Sequence, residues 1–308
     1  MRIGVFGIGG VGGFFGARLA RSGADVTFIA RGKTLEALRS RGIRIESVDG
    51  GFTLNPVNAI ASDERAAKKF DVVLLAVKAW QVPKAARQLE PMLHAHGVVI
   101  PLENGIDTPE QLVPILRPQQ VAGGLCALVS FTMEPGVIRH VGAEPLVMFG
   151  ELDNHRSERL QRLLDAFLRA GVKTEIPPDI HRSMWTKFVF ITPMSGVGAI
   201  TRVPLGVWRA IPESRRLAQI AVEEVVAVAS ARGIKLDDDV VARTMQRYDH
   251  LPPDSTASLQ RDVTEGKPSE LEAQIGAVVR LGREAGVPTP VHEVIYSALL
   301  PLERTARR

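Results

Sequence analysis

Two groups of residues in this sequence have the types and spacing to do chemistry. One is a lysine, Lys187, set in the apolar segment Trp185-Thr-Lys-Phe-Val-Phe-Ile191. An ammonium there has two readings. It snorkels toward water from an amphipathic helix, or it sits beside a substrate carbonyl and stabilises the alkoxide that develops on reduction more than the ground state. Other polar residues could serve the same site. Glu270 follows Pro268-Ser269 and is either a helix-start carboxylate or a reacting group. Ser258 is either a helix-terminal hydroxyl or a donor to an anionic substrate. Asn104-Gly105 closes an apolar run, Val98–Leu102, and is either a plain turn or a ligand site. A strand's carboxyl end is where open α/β sheets bind ligands.

The second group is Gly7-Ile8-Gly9-Gly10-Val11-Gly12, a G-x-G-x-x-G pattern. The apolar run Ile3–Phe6 precedes it, and Val11, Phe15 and Leu19 follow at helical spacing. That context predicts a strand, a tight turn and a helix N-terminus. Gly7 permits the turn, Gly9 lets a pyrophosphate approach the backbone, and Gly12 lets helix and strand pack closely. The first N–H groups of the helix and its dipole suit phosphate. Beyond it, Asp25–Ala30 reads as a second parallel strand ending at Arg31. An NAD site usually carries an acid there, to accept from the ribose 2′-hydroxyl. A guanidinium instead suits a 2′-phosphate through charge-assisted, bidentate bonds, so Arg31 predicts NADP(H) unless it is a solvated loop residue. Lys78 and Gln81 follow the buried strand Asp71–Val77, where Lys78 is either a solvated strand-end charge or a phosphate ligand.

The remaining elements position these groups. Residues 43–59 read as a hairpin, and Ser62-Asp-Glu as a helix start. Val121–Val129, Glu144–Gly150 and Val172–Ile176 read as strands, with a hairpin over Phe131–Val141 and a helix over Ser157–Ala170. After Pro177-Pro178 no strand pattern remains; Ile180–Ile200, Ser214–Arg232, Asp237–His250, Ser258–Glu265 and Glu270–Ala285 read as helical. The expectation is an α/β Rossmann-type domain over 1–177 and an all-α domain over 178–308.

Composition narrows the function. The chain has 308 residues, 45% hydrophobic and 23% charged, as expected of a globular protein with a full core. Its net charge of +4 raises nucleic-acid binding, but the bases are mixed with acids and lack a basic–aromatic pattern. The cationic excess also suits a dinucleotide and a keto acid. Cys126 is the single cysteine and lies in an apolar stretch, so it reads as a core thiol in a reducing compartment. No long apolar span and no signal-peptide pattern is present. The expectation is a cytoplasmic protein with no membrane and no nucleic-acid partner. The histidines show no metal spacing; His94 and His96 read as lying near a helix end, and no metal is expected.

Taken together these residues resemble the ketopantoate reductases (2-dehydropantoate 2-reductases) over nearly the whole chain. The likeness rests on Gly7-x-Gly9-x-x-Gly12, Arg31, Val77-Lys78-Ala79-Trp80-Gln81, Glu103-Asn104-Gly105, Pro135-Gly136-Val137-Ile138-x-His140, Trp185-x-Lys187-Phe188 and Ser258-Leu-Gln-x-Asp262 with Ser269-Glu270. The resemblance implies an NADPH-dependent reductase of a 2-keto acid. Its helical domain would resemble that of 6-phosphogluconate dehydrogenase, its active site would lie in the cleft between the domains, and a homodimer is one option. It implies that Arg31 and Lys78 meet the 2′-phosphate, and that Gln81 and Asn104 line the cofactor and substrate site. Lys187 would be the catalytic acid, Ser258 would contact the substrate carboxylate, and Glu270 would assist binding and catalysis. Two positions depart from the family. Its asparagines are replaced by Ile191 and Ser195, which leaves Ser195 as the polar substrate contact, and Ile275-Gly276 stands for Asn-Gly. These changes allow a more apolar keto acid than ketopantoate. A non-catalytic NADPH-binding protein is a further alternative, against which Lys187 and Glu270 argue together.

Overall fold

A computed structural model describes residues 1–64, 69–142 and 144–308. The chain forms two compact units, one of Met1–Glu103 with Thr108–Ile180, the other of Asn104–Asp107 with His181–Arg308.

The first unit opens with β1 (Arg2–Phe6), α1 (Gly10–Arg21), β2 (Asp25–Ala30) and α2 (Gly32–Arg41). It continues through β3 (Ile43–Ser47), β4 (Phe52–Leu54), β5 (Asn58–Ala61), β6 (Phe70–Leu75), α3 (Val82–Leu89), β7 (Leu93–Pro101) and α4 (Thr108–Leu112). Then follow β8 (Ala122–Ala127), β9 (Ser130–Glu134), β10 (Val137–His140), β11 (Leu146–Glu151), α5 (Glu158–Arg169) and β12 (Lys173–Glu175). Five strands pair in parallel in the order β5-β2-β1-β6-β7. Successive side chains of a strand point to opposite faces, and both faces are covered. Ile3 and Val5 of β1 pack with Phe14, Phe15 and Leu19 of α1. Phe6 packs on the other side with Val82, Ala85 and Leu89 of α3. This is why the central strands read as unbroken apolar runs. The strand order reverses between β1 and β6, so the loops after these two strands flank a switch point, the usual ligand position in such sheets.

Smaller sheets, β4-β3-β10-β9 and β12-β11-β8, complete the unit. The expected hairpin over 43–59 stops at Leu54. Residues 58–61 instead run parallel to β2, from Thr27↔Asn58 to Ala30↔Ala61. A short alternating run does not encode its partner, so sequence alone merged two pieces. The expected helix start at Ser62-Asp-Glu is a turn in this structure, and the segment after it, 65–68, lies outside the described residues. His94 and His96 lie in β7, just past the helical turn Glu90–Met92 that follows α3.

The second unit is helical: α6 (Ile180–Thr201), α7 (Leu205–Arg209), α8 (Pro212–Ala231), α9 (Val240–His250), α10 (Ser258–Thr264), α11 (Ala277–Ala285) and α12 (Pro290–Ala306). A π turn, Glu272–Gly276, leads into α11. It is closed by the Gly276 N–H donating to Leu271 O at 2.9 Å. The sequence pattern predicted a regular helix there and did not reveal α12. The N-terminus of α12 is capped from afar. Glu224 of α8, 6% exposed, accepts from the Val291 N–H at 2.7 Å and the His292 N–H at 3.0 Å. Among the described residues no helix is long and apolar enough to cross a membrane.

Candidate active site

The glycine-rich turn joins β1 to α1. Gly7 has φ +97°, and a Cβ there would lie 2.5 Å from the carbonyl oxygen of Ala76. A Cβ on Gly12 would collide with the Gly7 carbonyl and lie 3.2 Å from Val5 Cγ1. These two positions are therefore closed by backbone and strand. Gly9 differs: a Cβ there would meet nothing within 4 Å. It is the N-cap of α1 and carries no capping side chain. The first N–H groups of α1, those of Gly10, Val11 and Gly12, lack intrahelical acceptors by geometry. An open position beside a helix N-terminus suits a pyrophosphate, so the residues present fit a dinucleotide. Ile8 is 9% exposed and Val11 half-buried.

Arg31 directly follows β2, is exposed and precedes α2. Lys78 follows β6, and its Nζ lies 5.9 Å from the centroid of the Trp80 ring. The Lys78 N–H donates to Gln81 Oε1 at 3.4 Å. Glu103 Oε1 accepts the Val77 N–H at 3.2 Å and ties the ends of β6 and β7 together. All of these groups sit at the carboxyl ends of the parallel strands.

In the helical unit, Lys187 is half-buried on α6 and its Nζ donates to Asn104 Oδ1 at 2.9 Å. Two residues 83 positions apart thus meet. Phe190 and Ile191 are half-buried and stand one turn from Lys187, on the same helix face. Ser195 lies about two turns along and is 0% exposed; its Oγ has no hydrogen-bond partner among the described residues. Ser258, half-buried, is the first residue of α10. That helix reaches α6 through Gln260, whose Oε1 comes close to Gly198. Glu270, 7% exposed, enters the π turn and its carbonyl accepts the Gln274 N–H at 3.1 Å. Ile275 of that turn packs on α6: a Cβ at Gly196 would lie 2.8 Å from its Cδ1. The structure therefore joins Lys187 to Asn104 directly, and seats the elements bearing Ser258 and Glu270 against the helix that carries the lysine.

Supporting residues escaped the sequence reading. Asp107 Oδ2 accepts from Arg280 Nη2 at 2.6 Å and fastens the 104–107 segment to α11. Ser269, the residue before Glu270, is 0% exposed. Glu303 of α12 accepts its N–H at 3.0 Å and its hydroxyl at 2.5 Å. Arg307 binds Glu303 at 2.5 Å and the Ser269 carbonyl at 3.0 Å. The carboxylate so placed does for the Glu270 segment what a capping side chain does for a helix start. No local signal encodes these contacts. The Ser269–Glu270 pair in the sequence hints only at a helix start.

Comparison with known proteins agrees with this layout. Residues 3–154 match the family model described as ketopantoate reductase PanE/ApbA, and residues 179–303 its C-terminal counterpart. The chain is 32% identical to the uncharacterized oxidoreductase YkpB of Bacillus subtilis, over 97% of this chain and 98% of that protein. It is 30% identical to the 2-dehydropantoate 2-reductase of a Nostoc species, over 96% of this chain and 93% of that one. The crystal structure of 2-dehydropantoate 2-reductase from Geobacter metallireducens superposes with a TM-score of 0.91 at 29% identity, covering 98% of this chain and 99% of that one.

Proposed function

We propose a function from one established premise: the chain belongs to the ketopantoate reductase family, NAD(P)-dependent oxidoreductases acting on a CH–OH group. The proposed reaction is the NADPH-dependent reduction of 2-dehydropantoate to pantoate, a step of pantothenate synthesis. The observation that carries it is the hydrogen bond from Lys187 Nζ to Asn104 Oδ1 at 2.9 Å.

An ammonium has three donors and no acceptor. Asn104 takes one N–H and so fixes the direction of the others. One of those donates to the substrate's carbonyl oxygen and passes its proton there as negative charge develops. When bound, the reduced nicotinamide supplies the hydride to C2, so the ketone becomes a secondary alcohol. The ammonium polarises the carbonyl before transfer and stabilises the alkoxide during it. Ser258 donates to the substrate carboxylate. Glu270 binds the substrate and assists the proton step, and Ser195 supplies a further polar contact.

Gly7, Ile8, Gly9, Gly10, Val11 and Gly12 form the cradle for the pyrophosphate. Arg31 and Lys78 hold the 2′-phosphate, which selects NADPH, and Gln81 and Asn104 border the cofactor.

Ile191 favours a second reading. It stands one turn from Lys187 on the same face, where an apolar side chain would suit a more apolar 2-keto acid. Loss of NADPH absorbance, followed with 2-dehydropantoate beside branched and straight 2-keto acids, separates the two. Efficient turnover of 2-dehydropantoate supports the first reading. Turnover restricted to an apolar keto acid replaces it with the second, and no turnover of any 2-keto acid rejects both.

A further inference from the structure

The helical unit holds an arginine whose charge no acid among the described residues meets. Arg247 of α9 has no carboxylate at ion-pairing distance among the described residues. Its neighbours are matched. Arg243 pairs with Asp237 at 3.1 Å. Asp249, two residues on, is taken by Arg215 at 2.5 Å. Arg209 Nη1 donates to the Leu251 carbonyl at 2.8 Å.

The head of Arg247 is nevertheless fixed. Its guanidinium carbon lies 4.0 Å from the centroid of the Phe190 ring. Phe190 is itself held on its other contacts. The Tyr248 hydroxyl donates to the Phe190 carbonyl at 2.6 Å, and the Tyr248 and Phe190 rings lie 5.4 Å apart. These contacts pin α9 to α6 one turn from Lys187 and beside Ile191, on the half-buried face of that helix. Partial desolvation lowers the pKa of the guanidinium from the usual arginine value. Arg247 is exposed, so its guanidinium is open to an anionic ligand that reaches this face of α6. A guanidinium stacked on a ring keeps its in-plane N–H edges available, in the fork that matches a carboxylate.

We propose that Arg247 is the cationic clamp for the substrate's carboxylate, binding it while Lys187 engages the adjacent carbonyl oxygen. The inference rests on the reading of Lys187 as proton donor. It makes Arg247 a specificity-determining residue, one that separates 2-keto acids from uncharged ketones of the same shape. Ser258 then shares the carboxylate and does not carry its charge alone.

The test compares a 2-keto acid with its methyl ester, which keeps the ketone and removes the charge. In wild-type protein the acid is strongly preferred. Arg247→Gln keeps a long stem on the Phe190 ring and loses the charge. It should raise KM for the acid by about 10- to 100-fold, the scale of a charge-assisted bidentate pair. KM for the ester and the dissociation constant of NADPH should stay within about twofold, with kcat changed less than KM. Arg247→Lys should recover part of the acid preference. A purely structural arginine would instead lower acid and ester turnover together, and an Arg247→Gln protein that still prefers the acid as wild type does overturns the proposal. Equal use of acid and ester by the wild type overturns it too. Lys187→Ala, run in the same assay, tests the underlying reading. If it keeps turnover, the proton-donor role falls. If it loses turnover while Arg247→Gln keeps the acid preference, only the clamp falls.

Discussion

The glycine-rich turn of the first unit and the Lys187 cluster of the second are built by different means. At the turn the structure is set by backbone. Gly7 and Gly12 are closed by carbonyl oxygens and by Val5, and Gly9 alone looks onto open space. Backbone atoms of Gly7 and of Ala76, the latter from the neighbouring strand's end, do most of the shaping. At Lys187 the structure is set by side chains from distant parts of the chain: Asn104 on its ammonium, Asp107 on Arg280, and Glu303 behind Ser269. A backbone cradle tolerates change in side chains but not in shape. A side-chain cluster tolerates shape changes elsewhere but fails when one partner is removed.

Substitutions sharpen this contrast. Lys187→Ala should have the largest effect, lowering kcat by roughly 10²- to 10⁴-fold, the usual worth of a positioned acid. NADPH affinity, measured by fluorescence titration, should change little, since the cradle belongs to the other unit. Next, Arg31→Ala should weaken NADPH by about 10- to 100-fold through loss of a charge-assisted phosphate contact. NADH affinity should barely move; equal losses for both cofactors would remove the 2′-phosphate from the account. Gly9→Ala should leave the melting temperature unchanged, because its methyl meets no atom. It should still weaken both cofactors by roughly tenfold, because the methyl occupies the space that phosphate needs. An unstable Gly9→Ala protein would break the distinction between closed and open glycines. The smallest effect belongs to Asp107→Asn. Its partner Arg280 is 45% exposed, so the pair contributes about 0–1 kcal/mol to stability. The substrate KM should rise a few-fold as the Asn104 segment loosens, with NADPH affinity intact.

What could be read from the sequence follows the same division. The turn was legible because strand, glycines and helix lie within Met1–Gly16 and each residue type has a local reason. The buried strand at 71–77 announced itself by unbroken apolar character. The helix expected over Ser157–Ala170 forms as Glu158–Arg169, and the Ser157 hydroxyl caps it by accepting the Leu160 N–H at 3.4 Å. The strand at Asn58–Ala61 was missed because a short run does not name its partner. The π turn escaped because it depends on how Ile275 packs against Gly196 on another helix. Lys187 was singled out by its apolar setting and by motif, whereas Arg247, in an ordinary charged stretch, was not. Its distinction is the absence of an acid partner among the described residues, which only folding reveals.

The assignment of residues 104–107 to the helical unit bears on how such proteins can be recombined. A chimera cut once, near Ile180, would join one relative's helices to another's Asn104 and Asp107. Lys187 and Asn104, which accepts its hydrogen bond, would then come from different parents, as would the Asp107–Arg280 pair. An exchange that respects the structure has to move the four-residue segment together with the helices. Substrate preference should travel with that pair of pieces, and cofactor preference with the remainder.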